Sequence, residues 1–225
     1  MEALEQTGVD IAIISSAYVS NAKNIEIIQE GNAKVAEIAG RFPDKVKGGL
    51  TIDWRWPEES VSEAEHHFSD ENMVISGEIC QYLNESEEVE PAFMKAVEKV
   101  IEMQKPLMFH SSFPCQVRAI CGLAERYPEG RFVMAHIGGM RAWAHGILQA
   151  KDIENLYIDI SGTPSLMNGI VEEAVRILGP DRVLFGSDSR FDGTRYTVER
   201  IQHSQLSDEV KQKILYRNCE ELLNV

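Results

Sequence analysis

The chain has 225 residues, which is enough to bury one large core and is consistent with a single domain over residues 1–225. Its 36 acidic and 22 basic residues give a net charge of -14, which repels phosphate backbones and argues against a nucleic-acid partner. The longest apolar runs have strand length and the first ten residues are acidic and amphipathic, so neither a membrane span nor a signal peptide is predicted.

Short β-rich runs alternate with amphipathic helical stretches along the whole chain. One helical stripe runs from Phe93 to Met103, and two closing helices are predicted at Thr194–His203 and Ser207–Asn224. Ser207 is a favourable N-terminal cap for the last of these. Seven strands are predicted, at Val9–Ala17, Val46–Asp53, Met73–Cys80, Pro106–Ser111, Arg131–Ile137, Leu156–Ser161 and Arg182–Ser187.

The predicted strands are apolar almost throughout, as the runs VDIAIIS and RFVMAHI illustrate. Strands of this kind are covered on both faces, which indicates a parallel sheet wrapped by helices. The alternation of strands and helices fits either a closed barrel or an open doubly wound sheet. Neither GxGxxG nor a P-loop motif follows any predicted strand, so the sequence gives no support to a nucleotide-binding open sheet.

Polar side chains stand at the ends of the predicted strands, separated by 23 to 32 residues. Because one βα unit takes roughly 30 residues, each unit delivers about one such side chain to the same rim of the sheet. In an α/β barrel that rim is the active-site face. The side chains are Asp53, Glu78, His110, His136, Asp159 and Asp188.

Within this set, His110, His136 and Asp188 predict a metal or catalytic site. A single strand-end histidine is more often structural, and Asp159 could merely cap a helix or bond a loop. Several such groups on one rim are costly to bury unless they are paired or bind a cation. Imidazole and carboxylate are the ligands that zinc prefers, with one position open for water. Asp188 could accept the proton of that water, bind the metal, or do both.

Other candidates have a plainer interpretation. His66 and His67 are predicted to lie on a solvated helix face, as are His145 and His203 in their helices. Trp54, just beyond a strand, could line the pocket rim or simply pack, and Arg190 could bind a substrate carboxylate or form a surface salt bridge. The four cysteines form no CxxC pair, which indicates reduced thiols in a cytoplasmic protein.

The runs PLMFHSS, RFVMAHIGG, NLYIDISG, LGPDRVLFGSDSRF and KILYRNCEELLNV resemble the amidohydrolase-related family, which groups metal-dependent hydrolases with some non-oxidative decarboxylases. The His-Gly-Gly run and the FGSD strand end together carry the resemblance, most strongly over residues 106–225. It implies a TIM-like (β/α) barrel of class α/β, with a mononuclear or binuclear site for a divalent metal, zinc being favoured.

Residue by residue, the resemblance implies that His110 is the strand-five histidine at the metal and that His136 is the strand-six histidine, bound to metal or substrate. Asp188 matches the strand-eight aspartate that binds the metal and shuttles a proton, so Asp188 and His136 are the expected catalytic residues. Glu78 in GEIC is similar to a glutamate that bridges two metals in TatD-like nucleases, and is a further candidate ligand.

One departure from the family pattern affects these expectations. The family begins with a strand that ends in His-x-His, whereas this sequence contains no His-x-His and begins with what looks like the first helix and second strand. Seven recognisable strands are therefore expected, with the first strand absent through an upstream start codon or through loss. The exposed strand edges would call for cover, for example by a homo-oligomer.

The leading hypothesis from the sequence is a metal-dependent hydrolase of a small-molecule amide, ester or lactone, with non-oxidative decarboxylation as a variant of the same site. The alternative is a non-catalytic barrel that has lost the His-x-His ligands. A TatD-like nuclease rests mainly on the GEIC run, and the charge of -14 argues against it.

Overall fold

The computed structural model describes residues 6–162, 167–189 and 193–225. The chain divides into two compact units. The N-terminal unit is Val9–Phe109, and the C-terminal unit is His110–Val225 together with the residues up to Gly8. The single domain predicted over the whole chain stays a prediction.

The N-terminal unit contains four parallel strands that pair in chain order. Ala12 lies opposite Val46 in the first pair, and Ser76 lies opposite Leu107 in the third. Strand β3 is buried at six of its seven positions, as expected for a strand covered on both faces. The strands are β1 (Ala12–Ile14), β2 (Val46–Leu50), β3 (Met73–Ile79) and β4 (Leu107–Phe109).

The C-terminal unit contains three further parallel strands, again paired in chain order. Phe132 lies opposite Leu156, and Ile158 lies opposite Val183. With these, the described residues contain the seven parallel strands that the sequence predicted, although each is shorter than predicted. They are β5 (Phe132–Met134), β6 (Leu156–Asp159) and β7 (Val183–Leu184).

Helices follow the strands along the chain, as the alternating pattern predicted. At the start of helix Asp208–Gln212, Ser207 accepts a hydrogen bond from Val210 N and is the cap that the sequence indicated. The predicted closing helix is not uniform, because a π turn at Lys213–Arg217 interrupts it. The α-helices are Ile25–Arg41, Pro57–His67, Met94–Glu102, Pro114–Arg126, Gly139–Gln149, Ile170–Leu178, Thr194–Gln202, Asp208–Gln212 and Asn218–Leu223. None of the described helices is both long and apolar enough to cross a bilayer.

Strand β5 ends earlier than the apolar run RFVMAHI predicted. The strand stops at Met134, and Ala135–Gly138 forms a short 3-10 segment. Within it, His136 and Ile137 have φ angles of 59° and 54°, in the left-handed region that non-glycine residues rarely occupy. The chain therefore turns away from the sheet at the predicted site histidine.

Candidate active site

The structure brings His110 and His136 together within the C-terminal unit. Their ring centroids are 5.0 Å apart, with the ring planes inclined at 70°. One nitrogen of each ring lies within 4.8 Å of the other. His110 is half-buried and its Nε2 is 3.0 Å from the Ser112 hydroxyl, whereas His136 is only 8% exposed. Two nitrogen donors at this separation are compatible with a shared ligand or ion.

His136 is fixed from the side of strand β6. Its Nδ1 lies 2.8 Å from Ser161 Oγ, and this hydroxyl donates in turn to Asp159 Oδ1. The same carboxylate oxygen accepts the backbone N–H groups of His136, at 3.3 Å, and of Ser161, at 2.8 Å. The three side chains therefore form one hydrogen-bonded chain, which fixes both the backbone and the ring of His136.

Burial dominates the electrostatics of Asp159. The carboxyl is 8% exposed, and desolvation raises its pKa above the ordinary value. The charge of His136 and the hydrogen bonds from Ser161 and from the His136 backbone oppose that rise without cancelling it. Asp159 also contributes, after burial, to a pKa of about 12 at the Cys219 thiol.

Sequence reasoning left Asp159 as a cap or loop bond and did not single out Ser161. The structure shows that Asp159 does bond its own loop, but that it also bonds a predicted site histidine. No one-dimensional signal marks Ser161, because its partner His136 is 25 residues away. The motif NLYIDISG contains both residues, but only the pairing of β6 with β5 brings them next to His136.

The other predicted residues of the C-terminal unit are less defined. Asp188 is half-buried after strand β7, with a φ of 47°, and its role as ligand and proton carrier stays a prediction. Arg190 lies outside the described residues.

Glu78 and Trp54 belong to the N-terminal unit. Glu78 is a half-buried residue of strand β3, and its role as a ligand stays a prediction. Trp54 is half-buried and donates its backbone N–H to Gln81 O at 3.2 Å. Its buried indole Nε1 has no hydrogen-bond partner among the residues that the structure describes. Both of its proposed roles, at the pocket rim or in packing, stay open.

Asp53, the first of the polar strand-end residues, has a structural role in the N-terminal unit. Its buried carboxylate receives two hydrogen bonds from the Arg55 guanidinium, at 2.5 and 2.9 Å. The hydrogen bond to Asp53 raises the pKa of Arg55. Because Asp53 is neutralised by its neighbour, its burial requires no ligand.

The prediction that His67 lies on a solvated face is wrong. His67 is 8% exposed, and its Nε2 is 3.4 Å from the buried Glu63 carboxylate. Glu63 also accepts from Asn32 Nδ2 at 2.9 Å. The acidic helix Pro57–His67 has a buried face, because Glu63 and His67 are one helical turn apart and Glu63 bonds Asn32 of another helix. His66, His145 and His203 are exposed, as predicted.

Parallel strands joined by helices, with histidines after successive strands, define a scaffold of the α/β class. Solved structures share this fold over nearly the whole chain. A 2,6-dihydroxybenzoate decarboxylase from Rhizobium has a TM-score of 0.79 at 15% identity, covering 99% of this chain and 86% of its own. A candidate amidohydrolase from Staphylococcus aureus has a TM-score of 0.81 at 18% identity, covering 100% and 90%. The TIM-like fold predicted from the sequence is confirmed.

A 5-carboxyvanillate decarboxylase from Novosphingobium aromaticivorans, solved with manganese and 4-hydroxy-3-methoxy-5-nitrobenzoic acid, has a TM-score of 0.79 at 15% identity and covers 100% of this chain and 79% of its own. The search of curated protein sequences found no significant match. The family model described as Amidohydrolase matches residues 13–225. The chain belongs to the amidohydrolase family, which confirms the resemblance seen in the sequence.

Proposed function

We propose that this protein is a metal-dependent enzyme that acts on a small molecule, with hydrolysis of an amide, ester or lactone as its leading reaction. The observation that carries the proposal is the pairing of His110 with His136, whose donor nitrogens lie within 4.8 Å. A merely structural histidine would not need a second imidazole beside it and a carboxylate behind it.

The donor set fits a divalent metal. Imidazole suits zinc, whereas manganese prefers oxygen ligands, so two histidines favour zinc even though manganese is bound in the decarboxylase from Novosphingobium aromaticivorans. A metal-binding histidine ordinarily bonds its second nitrogen to a carboxylate, carbonyl or water, and His136 has Ser161 and Asp159 in that position. When bound, the metal would polarise the substrate and lower the pKa of water.

The chain's own residues supply the remaining steps of the proposed reaction. His136 is held rigidly by Ser161 and Asp159, so it orients whatever it binds without first losing conformational freedom. Asp188, half-buried beyond strand β7, is proposed as the group that takes and returns a proton. Arg190, Trp54 and Glu78 keep their proposed roles in binding substrate or metal.

Non-oxidative decarboxylation of a small aromatic acid is the second candidate. Several structures that share the fold are named as decarboxylases of dihydroxybenzoate or carboxyvanillate. Both reactions would use the same histidines, and fold alone does not choose between them. They differ in product, because decarboxylation releases carbon dioxide whereas hydrolysis of an ester or lactone releases an acid.

The first test is the metal content of the purified full chain by plasma mass spectrometry, after loading with zinc or manganese and removing weakly bound ions. We expect about one ion per chain or more, and its loss in His110→Ala and His136→Ala. His145→Ala is the matched control, because His145 is exposed and bonds Gln149 on the same helix. A metal-free wild type, or retention in both site variants, would refute the metal proposal and favour a non-catalytic barrel.

Turnover is the second test. The loaded protein is offered a panel of lactones, esters and amides and a panel of hydroxylated benzoic acids, with acid release and carbon dioxide release measured in parallel. We expect activity on one panel, and we expect Asp188→Asn to abolish it. Full activity of Asp188→Asn would remove Asp188 from the proposed mechanism.

A further inference from the structure

Ser161 lies between a carboxylate and an imidazole, and its hydrogen bonds have a fixed direction. Its hydroxyl donates to Asp159 Oδ1 and lies 2.8 Å from His136 Nδ1. A hydroxyl has one hydrogen to give. Since Ser161 gives that hydrogen to Asp159, it can only accept from His136, and the imidazole proton must then be on Nδ1.

We propose that Ser161 and Asp159 are positioning residues that hold His136 in the tautomer protonated on Nδ1, so that Nε2 is the nitrogen presented to the metal or the substrate. The use of Nε2 rests on the proposed function, whereas the tautomer does not. In this arrangement Ser161 relays the pull of a buried carboxylate to the imidazole, without either residue touching the reacting atoms.

The backbone geometry reinforces the relay. Asp159 Oδ1 accepts the N–H of His136 at 3.3 Å, and that residue has a φ of 59°. A non-glycine residue in this region is strained and persists only where the surrounding contacts compensate. One carboxylate oxygen therefore holds both the strained backbone of His136 and, through Ser161, the orientation of its ring.

Two glycines make room for the relay. A Cβ on Gly162, whose φ is +75°, would lie 2.9 Å from His136 Nδ1. A Cβ on Gly186 would lie 1.7 Å from Asp159 Oδ2. Any side chain at these positions would push against the hydrogen-bonding edge of the imidazole or against the carboxylate, so the packing itself confines the relay to one arrangement.

Nitrogen NMR of the metal-free full chain tests the tautomer directly. Long-range proton–nitrogen correlations are recorded well above the ordinary imidazole pKa, and His136 is assigned by the loss of its signals in His136→Gln. We expect a pyrrole-like shift at Nδ1 and a pyridine-like shift at Nε2 in the wild type. The opposite pattern would overturn the inference, and this measurement needs no variant at position 161.

Ser161→Ala removes the acceptor and should move His136 towards the Nε2-protonated form that free imidazole side chains prefer in water. The matched control is Ser60→Ala, because Ser60 is also a buried serine with two hydrogen bonds, both to the backbone of Asp53. The control should leave the His136 signals unchanged. An unaltered tautomer in Ser161→Ala would overturn the positioning role.

Zinc affinity, measured by competition with a chromogenic chelator, tests the use of Nε2. Loss of a group that orients a metal-bound histidine typically weakens metal binding by about 10–100-fold, and we expect this for Ser161→Ala but not for Ser60→Ala. Equal affinity in the wild type and Ser161→Ala, with the tautomer shifted, would overturn the assignment of Nε2. If the tautomer responds as expected but no variant binds metal, the positioning role stands and the proposed function fails.

Discussion

Replacement of Gly186 by alanine is the sharpest perturbation of the buried carboxylate. The added methyl group would lie 1.7 Å from Asp159 Oδ2, whereas ordinary van der Waals contact begins near 3.4 Å. The backbone of Gly186 is not in the left-handed region, so alanine itself would be unstrained there and the effect would be steric. Either Asp159 or the chain after strand β7 must move by about 1.7 Å to restore ordinary contact.

The magnitude follows from the bonds that such a movement breaks. Asp159 Oδ1 accepts three hydrogen bonds, two from Ser161 and one from the backbone of His136. A hydrogen bond to a charged group contributes about 1.5–3 kcal/mol. Loss of two of the three would lower the free energy of unfolding by about 3–6 kcal/mol, a large part of the roughly 5–15 kcal/mol of an ordinary domain.

Urea unfolding of the full chain, followed by circular dichroism, measures this loss. Gly122→Ala is the matched control, because Gly122 lies within helix Pro114–Arg126 with nothing near its Cβ position. That control should raise the free energy of unfolding by about 0.5–1 kcal/mol, because alanine is the better helix former. A Gly186→Ala protein within about 0.5 kcal/mol of the wild type would refute the steric reasoning.

Three further predictions concern residues outside the candidate site. Burial, aided by the charge of Glu125, raises the pKa of the Cys121 thiol to about 12. Iodoacetamide at pH 8 should therefore alkylate half-buried Cys115 in the native protein and leave Cys121 unmodified until denaturant is added, which peptide mass spectrometry measures. Burial alone would raise the pKa of Glu63, but hydrogen bonds from His67 and Asn32 and the charges of His67 and His66 lower it below 4.5. The ionised carboxylate therefore stabilises the fold above pH 4.5, and this contribution is lost as the pH falls through the lowered pKa. In urea unfolding, the stability advantage of the wild type over Glu63→Gln should shrink below pH 4.5. A difference that stays constant with pH would contradict this prediction. Asn155 Nδ2 donates to three backbone carbonyls at 2.9 to 3.1 Å, and Asn155→Ala should lower the free energy of unfolding by about 1–3 kcal/mol, whereas an unchanged midpoint would show that water replaces it.

The sequence was sufficient for the parallel strands and for the two histidines, because both depend on local pattern. Buried parallel strands are apolar along their whole length, and their polar ends recur with the period of a βα unit. His110 and His136 follow from that rule without knowledge of any contact. The family resemblance then predicted the barrel fold, and the His-Gly-Gly and FGSD runs that carried it lie within residues 13–225, which the family model matches.

Other features could not be read from the sequence, because their causes are three-dimensional. Ser161 is an ordinary serine until strand β6 is paired with β5 and its hydroxyl reaches His136. The glycine of FGSD is explained only by the carboxylate of Asp159 beside it. His67 was misjudged because the acidic composition around it indicated solvent. Its partner Glu63 is buried because it bonds Asn32 of another helix, 31 positions earlier in the chain.

The left-handed turn after strand β5 affects how freely the protein can vary. Ile137 is fully buried with a φ of 54°, a conformation that a β-branched residue adopts only under constraint. Its neighbour His136 shares the turn, so the histidine proposed to bind metal or substrate is also one whose backbone must tolerate the bend. Few substitutions should therefore be tolerated at this turn. A substitution that preserved the chemistry would still have to fit the left-handed backbone, and one that relaxed the turn would move the imidazole away from Ser161.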